Sequence, residues 1–178
     1  AAWPGFDWRY AFAMTHNRGT PMIKVLFVCT GNICRSPTAE GVFRHLVANE
    51  GLADRIRVDS AGMGSWHIGQ PPDKRAQGAA RRRGIDLSKQ RGRQAKPQDF
   101  ERFDYVIAMD RANFASLKSI CPKGHERRIH MFLDFAPDVP ENEVPDPYYG
   151  GPDGFDVVLD MIEAASKGLL EDIRKTQL

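Results

Sequence analysis

The sequence predicts an α/β fold: a single, doubly wound domain in which a four-stranded parallel sheet carries helices on both faces. Two observations support this prediction. Four short apolar runs of strand composition alternate with segments whose apolar residues recur at helical spacing. The chain of 178 residues, 42% hydrophobic and 27% charged, is also long enough to form one domain with a substantial core. We therefore expect the functional loops at the carboxyl ends of the strands.

The first half of the chain contains two strand–helix pairs. Residues 22–28 form an apolar run rich in β-branched and aromatic residues, which is typical of a buried strand. Apolar residues then fall on one helical face over residues 39–47. Residues 56–58 predict a short second strand. Residues 72–83 predict a weaker helix that ends at Gly84, because glycine is common just after a helix.

The second half repeats the alternation of strand and helix. Residues 105–109 are apolar throughout and predict a buried strand. Residues 114–120 carry apolar side chains at helical spacing, and residues 128–132 predict a fourth strand. An apolar stripe over residues 155–173 predicts a long C-terminal helix. Strands that alternate with helices indicate a parallel sheet covered on both faces.

Composition and charge exclude several classes of protein. The formal net charge is only +2, from 25 basic and 23 acidic residues, so we expect no general affinity for nucleic acid or membranes. The basic run at residues 81–83 is interpreted as a solvated helix face. No apolar stretch is long enough to span a bilayer. Three cysteines, an odd number, favour a reducing compartment, and we expect a cytoplasmic protein that is a monomer or weak dimer.

Residues 1–21 differ from the rest of the chain. They lack the basic and continuously apolar regions of a signal peptide, and residues 15–21 are polar and turn-like. We expect residues 1–21 to be an N-terminal extension, disordered or non-native, although their aromatic residues leave open that they pack on the domain. The domain itself is predicted to cover residues 22–178.

The loop after the first strand carries the chemistry. Residues 29–36 read Cys-Thr-Gly-Asn-Ile-Cys-Arg-Ser, with Cys29 and Arg35 at the two ends of a tight turn before a helix. Backbone N–H groups that converge at a helix N-terminus form a bowl for a tetrahedral oxyanion, and they favour the thiolate form of a cysteine at its base. The guanidinium of Arg35 can bind two phosphate oxygens at once. The predicted phosphate-binding residues are Thr30, Gly31, Asn32, Ile33, Cys34 and Arg35, with Cys29 as the nucleophile.

Three residue types in this loop have specific structural uses. Gly31 relieves crowding of the backbone, and Asn32 tolerates a left-handed conformation while its amide ties the loop to its surroundings. The hydroxyl of Ser36 is placed to donate a hydrogen bond to the thiolate of Cys29.

Four segments together resemble the low-molecular-weight protein tyrosine phosphatases. They lie in that family's order, and the resemblance extends from about Met22 to the C-terminus. It implies that Asp146 is a general acid and that Ser60 steadies the Asn32 loop. It also implies that Trp66 and His67 belong to the substrate pocket, with the rim formed by Ile33, Trp66, Tyr148 and Tyr149. The four matching segments are residues 25–40, 58–62, 106–110 and 146–151.

The resemblance implies a phosphatase that uses neither metal nor cofactor and acts on a phosphotyrosine-containing protein or peptide. Cys29 attacks phosphorus, and Asp146 protonates the departing tyrosyl oxygen and then takes a proton from the hydrolytic water. Cys34 is either a small buried loop residue or a redox partner that captures oxidised Cys29, as the resemblance slightly favours. A zinc site is improbable because no Cys-x2-Cys pair exists and Arg35 opposes the charge of the metal.

Several residues have simpler explanations. Asp146 lies before Pro147, where aspartate commonly forms a turn, and Asp110 is placed to cap the helix that follows it. Cys121 ends an apolar helical face, which predicts a buried structural thiol. Some family members carry a histidine where this chain has Arg83, so the support of the phosphate loop remains open on this point.

Three other functions remain as alternatives. An arsenate reductase of the same fold needs further cysteines, and the distant Cys121 fits this need poorly. An arginine phosphatase is expected to have a small polar residue in place of Ile33. A non-catalytic phosphotyrosine-binding module usually lacks the nucleophile or the acid, whereas Cys29, Arg35 and Asp146 are all present.

Overall fold

The structure is a computed structural model that describes Gly19 and residues 21–178. The hypothesis about residues 1–21 therefore lies outside the described residues, apart from Gly19 and Pro21. The described chain contains one sheet of four parallel strands in the order β2-β1-β3-β4. The strands are β1 (Ile23–Cys29), β2 (Ile56–Gly62), β3 (Tyr105–Ala108) and β4 (Ile129–Met131).

Helices connect the strands, as the alternating pattern predicts. In the described residues the α-helices are α1 (Arg35–Asn49), α2 (Lys74–Arg82), α3 (Asp99–Arg102), α4 (Arg111–Ile120) and α5 (Gly154–Thr176). Single turns of 3₁₀ helix cover Glu126–Arg128, Phe132–Phe135 and Pro147–Tyr149. No helix in this part of the chain is both long and apolar enough to cross a membrane.

The two faces of the sheet have separate cores. Val25 and Phe27 of β1 point to the face covered by α1, α2 and α5, where Phe27 contacts Phe43 edge to face at 5.7 Å between ring centroids. The alternate residues Leu26 and Val28 point to the opposite face, covered by α3 and α4. Every one of these residues is buried because both faces are covered, which explains why β1 is apolar except at Lys24.

The predicted fold class is confirmed, and the differences concern short elements. β2 continues to Gly62, beyond the predicted residues 56–58, because residues 59–62 also pair with β1. The polar side chains of Asp59 and Ser60 hydrogen-bond to Arg93 and Glu40 outside the strand. The four-residue helix α3 and the 3₁₀ turns are too short to have a periodic pattern. Cys121 is only partly buried, so the prediction of a buried thiol is wrong; it caps the C-terminus of α4 at the domain surface.

Strand register brings the loops of the site to one edge of the sheet. Cys29 at the end of β1 pairs with Gly62 at the end of β2. A Cβ atom on Gly62 would lie 3.0 Å from Asn32 Cβ and 3.1 Å from its backbone nitrogen. Glycine at position 62 therefore allows β2 to approach the loop after β1, and this contact sets the back wall of the site.

Candidate active site

The sulfur of Cys29 lies at the bottom of the loop between β1 and α1. The backbone N–H of Asn32 points to Cys29 Sγ at 3.3 Å, and Ser36 Oγ lies 3.1 Å from the same sulfur. Helix α1 begins at Arg35, so its first N–H groups lie beside this loop. The loop therefore surrounds a buried thiol with donors, which is the arrangement that stabilises a thiolate.

Asn32 holds the loop from behind. Its φ of 57° lies in the left-handed region that the sequence analysis expected. Its amide nitrogen donates to Ser36 Oγ at 2.8 Å and to Ser60 Oγ at 3.0 Å, and its amide oxygen accepts from the Arg93 N–H at 3.0 Å. Asn32 therefore contributes its N–H to the bowl while its side chain faces away from it.

Glu40 extends this hydrogen-bond network into α1, and the sequence analysis missed it. Ser60 Oγ donates to Glu40 Oε2 at 2.6 Å, and Arg44 pairs with the other carboxylate oxygen. Burial raises the pKa of Glu40, an effect that the Ser60 hydrogen bond and Arg44 partly offset. The available signal was one carboxylate on α1 between Ala39 and Val42, next to the apolar face of the helix.

Arg35 occupies the centre of the site with its guanidinium buried. Its Nη1 donates to Asp110 Oδ2 at 2.6 Å and to the Val144 carbonyl at 3.0 Å. Its Nη2 lies 3.4 Å from Thr30 Oγ1 and 3.6 Å from Asp146 Oδ2. Burial alone would lower the pKa of Arg35, but the charges of Cys29 and Asp110 outweigh it and raise the pKa. The guanidinium therefore stays charged and is fixed from behind.

Asp110 has two contacts, of which the sequence analysis predicted one. Its Oδ1 accepts from the Asn113 N–H at 2.7 Å and so caps α4, as predicted. Its Oδ2 holds Arg35, which was not foreseen. The only signal in the sequence was the position of Asp110 directly after β3, at the edge of the sheet where functional residues gather.

Most of the predicted site residues line one open cavity of about 330 Å³. Trp66 and Tyr149 form its exposed rim, with 69% and 88% of their surfaces accessible. Asn32, Ser36 and Ser60 are buried behind the loop and do not line the cavity. The lining residues are Cys29, Thr30, Gly31, Ile33, Cys34, Arg35, Trp66, His67, Asp146, Tyr148 and Tyr149.

Asp146 reaches the cavity from the long connection before α5. Its Oδ1 accepts from the Tyr148 N–H at 3.0 Å and so begins the turn Pro147–Tyr149. Its Oδ2 faces Arg35, and its side chain is 44% exposed at the mouth of the cavity. Asp146 therefore begins the turn and also lines the cavity, so the two interpretations of this residue are compatible.

Cys34 differs from Cys29 in its electrostatic surroundings. Burial, and then the negative charge of Asp73 and of Cys29, raises the pKa of Cys34 to about 12. Cys34 therefore keeps its proton near neutral pH.

Among the described residues, no three His, Cys, Asp or Glu side chains are grouped to hold a metal ion.

Arg83 lies away from the phosphate loop. Its Nη1 pairs with Asp160 at 2.9 Å and with Glu163 at 3.2 Å, and its Nη2 donates to the Asp156 carbonyl at 3.2 Å. All three partners are on α5. Arg83 therefore joins the end of α2 to α5. The prediction that residues 81–83 form a solvated helix face is wrong for Arg83.

Comparison with known proteins agrees with this geometry. The model of the family described as low molecular weight phosphotyrosine protein phosphatase matches residues 24–178. The chain belongs to this family. It is 47% identical over 154 residues to low molecular weight protein-tyrosine-phosphatase YfkJ of Bacillus subtilis, a match that covers 86% of this chain and 97% of that protein. It is 41% identical over 149 residues to the mouse low molecular weight phosphotyrosine protein phosphatase, covering 83% and 93%.

Solved structures of family members have the same fold. The crystal structure of Bacillus subtilis YfkJ superposes with a TM-score of 0.85 at 46% identity and covers 90% of this chain and 99% of that one. A protein tyrosine phosphatase from Entamoeba histolytica with Hepes in its active site gives a TM-score of 0.84 at 40% identity, covering 88% and 99%. A Drosophila arginine phosphatase gives 0.80 at 33% identity, covering 85% and 98%.

Proposed function

We propose that this phosphatase hydrolyses phosphotyrosine in proteins or peptides through a cysteinyl-phosphate intermediate. The observation that carries the proposal is that Cys29 and Arg35 of the phosphate loop and the distant Asp146 line one cavity with an aromatic rim. A nucleophile, a fixed cation and a carboxylate at the mouth are the three groups that phosphate monoester hydrolysis needs.

In the first step, Cys29 Sγ attacks phosphorus and an S–P bond forms while the bond from phosphorus to the tyrosyl oxygen breaks. Asp146 gives its proton to that oxygen, which leaves as neutral tyrosine. Arg35 and the loop N–H groups hold the three equatorial oxygens as charge spreads over them. Asp110 and Val144 support this role because they hold Nη1 from behind while Nη2 faces the cavity.

In the second step, Asp146 takes a proton from water as the water oxygen attacks phosphorus. The S–P bond breaks, its electron pair returns to Cys29, and inorganic phosphate leaves. Ser36 supports both steps, since its hydroxyl lies 3.1 Å from the sulfur and can donate to the thiolate that leaves. No metal enters either step because Arg35 supplies the positive charge.

An aromatic substrate fits the cavity better than a short aliphatic one. The side chains of Ile33, Trp66, Tyr148 and Tyr149 extend the walls above the phosphate loop. A phenyl ring spans this depth and contacts the walls, whereas the single methylene of phosphoserine leaves the peptide backbone against the rim.

A direct comparison of substrates tests the proposal. We expect the largest kcat/KM for a phosphotyrosine peptide and little turnover of matched phosphoserine and phosphoarginine peptides or of arsenate. Faster turnover of phosphoarginine, the substrate class named for the Drosophila relative, would assign the chain to that branch.

Cys29→Ser should abolish turnover yet still bind vanadate, because the loop donors and Arg35 remain.

Asp146→Asn tests the general acid separately. It should lower kcat/KM by roughly 10²–10⁴ for esters with poor leaving groups, and less for activated aryl esters that need little protonation. Equal losses on both types of ester would make Asp146 a structural residue only.

The cysteines also support a proposed location. Cys29, Cys34 and Cys121 are free thiols, which supports our proposal of a cytoplasmic location. We propose a monomer or weak dimer in solution, which sedimentation over a range of protein concentrations would test.

A further inference from the structure

Arg75, in the first turn of α2, belongs to none of the motifs that the sequence analysis singled out, yet it contacts the turn that carries Asp146. Its Nη1 donates to the Tyr148 carbonyl at 3.1 Å. The Cζ atom of its guanidinium lies 5.2 Å from the centre of the Tyr148 ring and 4.9 Å from the centre of the Phe155 ring. Arg75 therefore holds Tyr148 through both its backbone and its ring.

The opposite end of Tyr148 holds Asp146. The Tyr148 N–H donates to Asp146 Oδ1 at 3.0 Å. The carboxylate of Asp146 is 44% exposed, and its other oxygen lies 3.6 Å from Arg35 Nη2, which is longer than a hydrogen bond. The orientation of Asp146 therefore depends on the position of the Tyr148 backbone.

Asp73 fixes Arg75 relative to the phosphate loop. Arg75 donates from Nε to Asp73 Oδ1 at 3.0 Å and from Nη2 to Asp73 Oδ2 at 2.9 Å. The Asp73 N–H in turn donates to the carbonyl of Ile33 in the phosphate loop at 2.8 Å. These hydrogen bonds form a continuous path from the loop that holds the nucleophile to the turn that holds the acid.

We propose that Arg75 is a positioning residue that sets the carboxylate of Asp146 at the distance from the phosphate loop needed for proton transfer. The inference rests on the proposed function, in which Asp146 is the general acid. Arginine suits this task because its flat guanidinium holds Asp73 on one edge, Tyr148 on another and aromatic rings on its faces. A lysine has one compact charge and no plane to stack.

The test compares leaving groups. We expect Arg75→Gln to lower kcat/KM by about 10- to 100-fold for phenyl phosphate, whose leaving group needs a proton, and by only about twofold for para-nitrophenyl phosphate. The parameter kcat/KM reports the steps up to departure of the leaving group. Arg75→Lys should show most of the same loss, since it restores the charge but neither the fork nor the stacking.

Arg82→Gln is the matched control. Arg82 lies on the same helix, is 64% exposed and pairs with Asp156 at 3.2 Å, and among the described residues it makes no hydrogen bond to the turn Pro147–Tyr149. We expect its kcat/KM to equal that of the unmodified protein for both esters. Urea unfolding of all variants separates a loss of folded protein from a loss of positioning.

A double variant decides between positioning and general damage. In an Asp146→Asn background, Arg75→Gln should change kcat/KM for phenyl phosphate by less than about twofold, because no acid remains to be positioned. A full additional loss in that background, or equal losses on both esters, would refute the proposal. If Asp146→Asn itself showed no dependence on the leaving group, the proposed function would fail instead.

Discussion

Replacement of Asn32 by alanine should destabilise the fold and the site together. The variant loses three hydrogen bonds of 2.8–3.0 Å, each worth about 1 kcal/mol. Alanine at a φ of 57° adds about 1 kcal/mol of backbone strain. The Ser36 and Ser60 hydroxyls keep the Ala61 carbonyl and Glu40 as acceptors, so neither is left unpaired. The expected loss in unfolding free energy is therefore about 4 kcal/mol.

The loss of activity follows from the same φ. The Asn32 N–H points to Cys29 Sγ only while residue 32 stays left-handed. Alanine favours negative φ, so the loop relaxes and one donor leaves the bowl, which should lower kcat/KM by about 10²–10³. Asn32→Gly, which adopts positive φ without strain, should be destabilised by about 3 kcal/mol and remain more active than Asn32→Ala.

Urea unfolding followed by circular dichroism, with kcat/KM for para-nitrophenyl phosphate on the same samples, measures both effects. Asn49→Ala is the control, because Asn49 is exposed at the end of α1 and the change should stay within about 0.5 kcal/mol. The reasoning is wrong if Asn32→Ala is as stable as the control or if Asn32→Gly is the less active of the two variants.

Further predictions concern Glu40, Cys34 and Arg83. Burial raises the pKa of Glu40 above its unfolded value of 4.5. Its stabilising contribution is therefore full below that value and is lost as pH rises through the folded pKa, so Glu40→Gln should gain stability relative to the unmodified protein as pH rises above 4.5 in urea titrations. A thiolate attacks sulfenic acid, and burial and the charge of Asp73 raise the pKa of Cys34, so a Cys29–Cys34 disulfide after peroxide treatment should form faster as the pH rises from about 7 to about 9, as read by peptide mapping. Cys34→Ala should recover poorly with dithiothreitol, and full recovery would remove Cys34 from any redox role. Arg83→Met should lower the unfolding free energy by only about 1 kcal/mol, because its acidic partners are 39–72% exposed and screened, and it should leave kcat/KM unchanged; a loss of activity would instead link Arg83 to the phosphate loop.

The sequence alone determined the strand–helix alternation and the phosphate loop. Both are encoded by short stretches of consecutive residues. The strand β1 is apolar except at Lys24 because both of its faces are buried, and residues 29–36 place a thiol, a left-handed asparagine and an arginine in the loop that leads into a helix. Such local patterns predict the same local structure whatever the arrangement of the rest of the chain. The long α5 was predictable for the same reason, since its apolar stripe continues from Phe155 to Ile173 of this 23-residue helix.

Only the tertiary structure decided how the loop is held and aimed. Asp110 is 75 positions from Arg35, and Arg75 is 73 from Tyr148, so their contacts depend on strand register and on how helices pack across the sheet. Asp110 as a helix cap and Asp146 as a turn former are each sufficient explanations of the local sequence. Their second contacts, both with Arg35, exist because parallel strands end at the same edge and bring separate loops within a few ångströms.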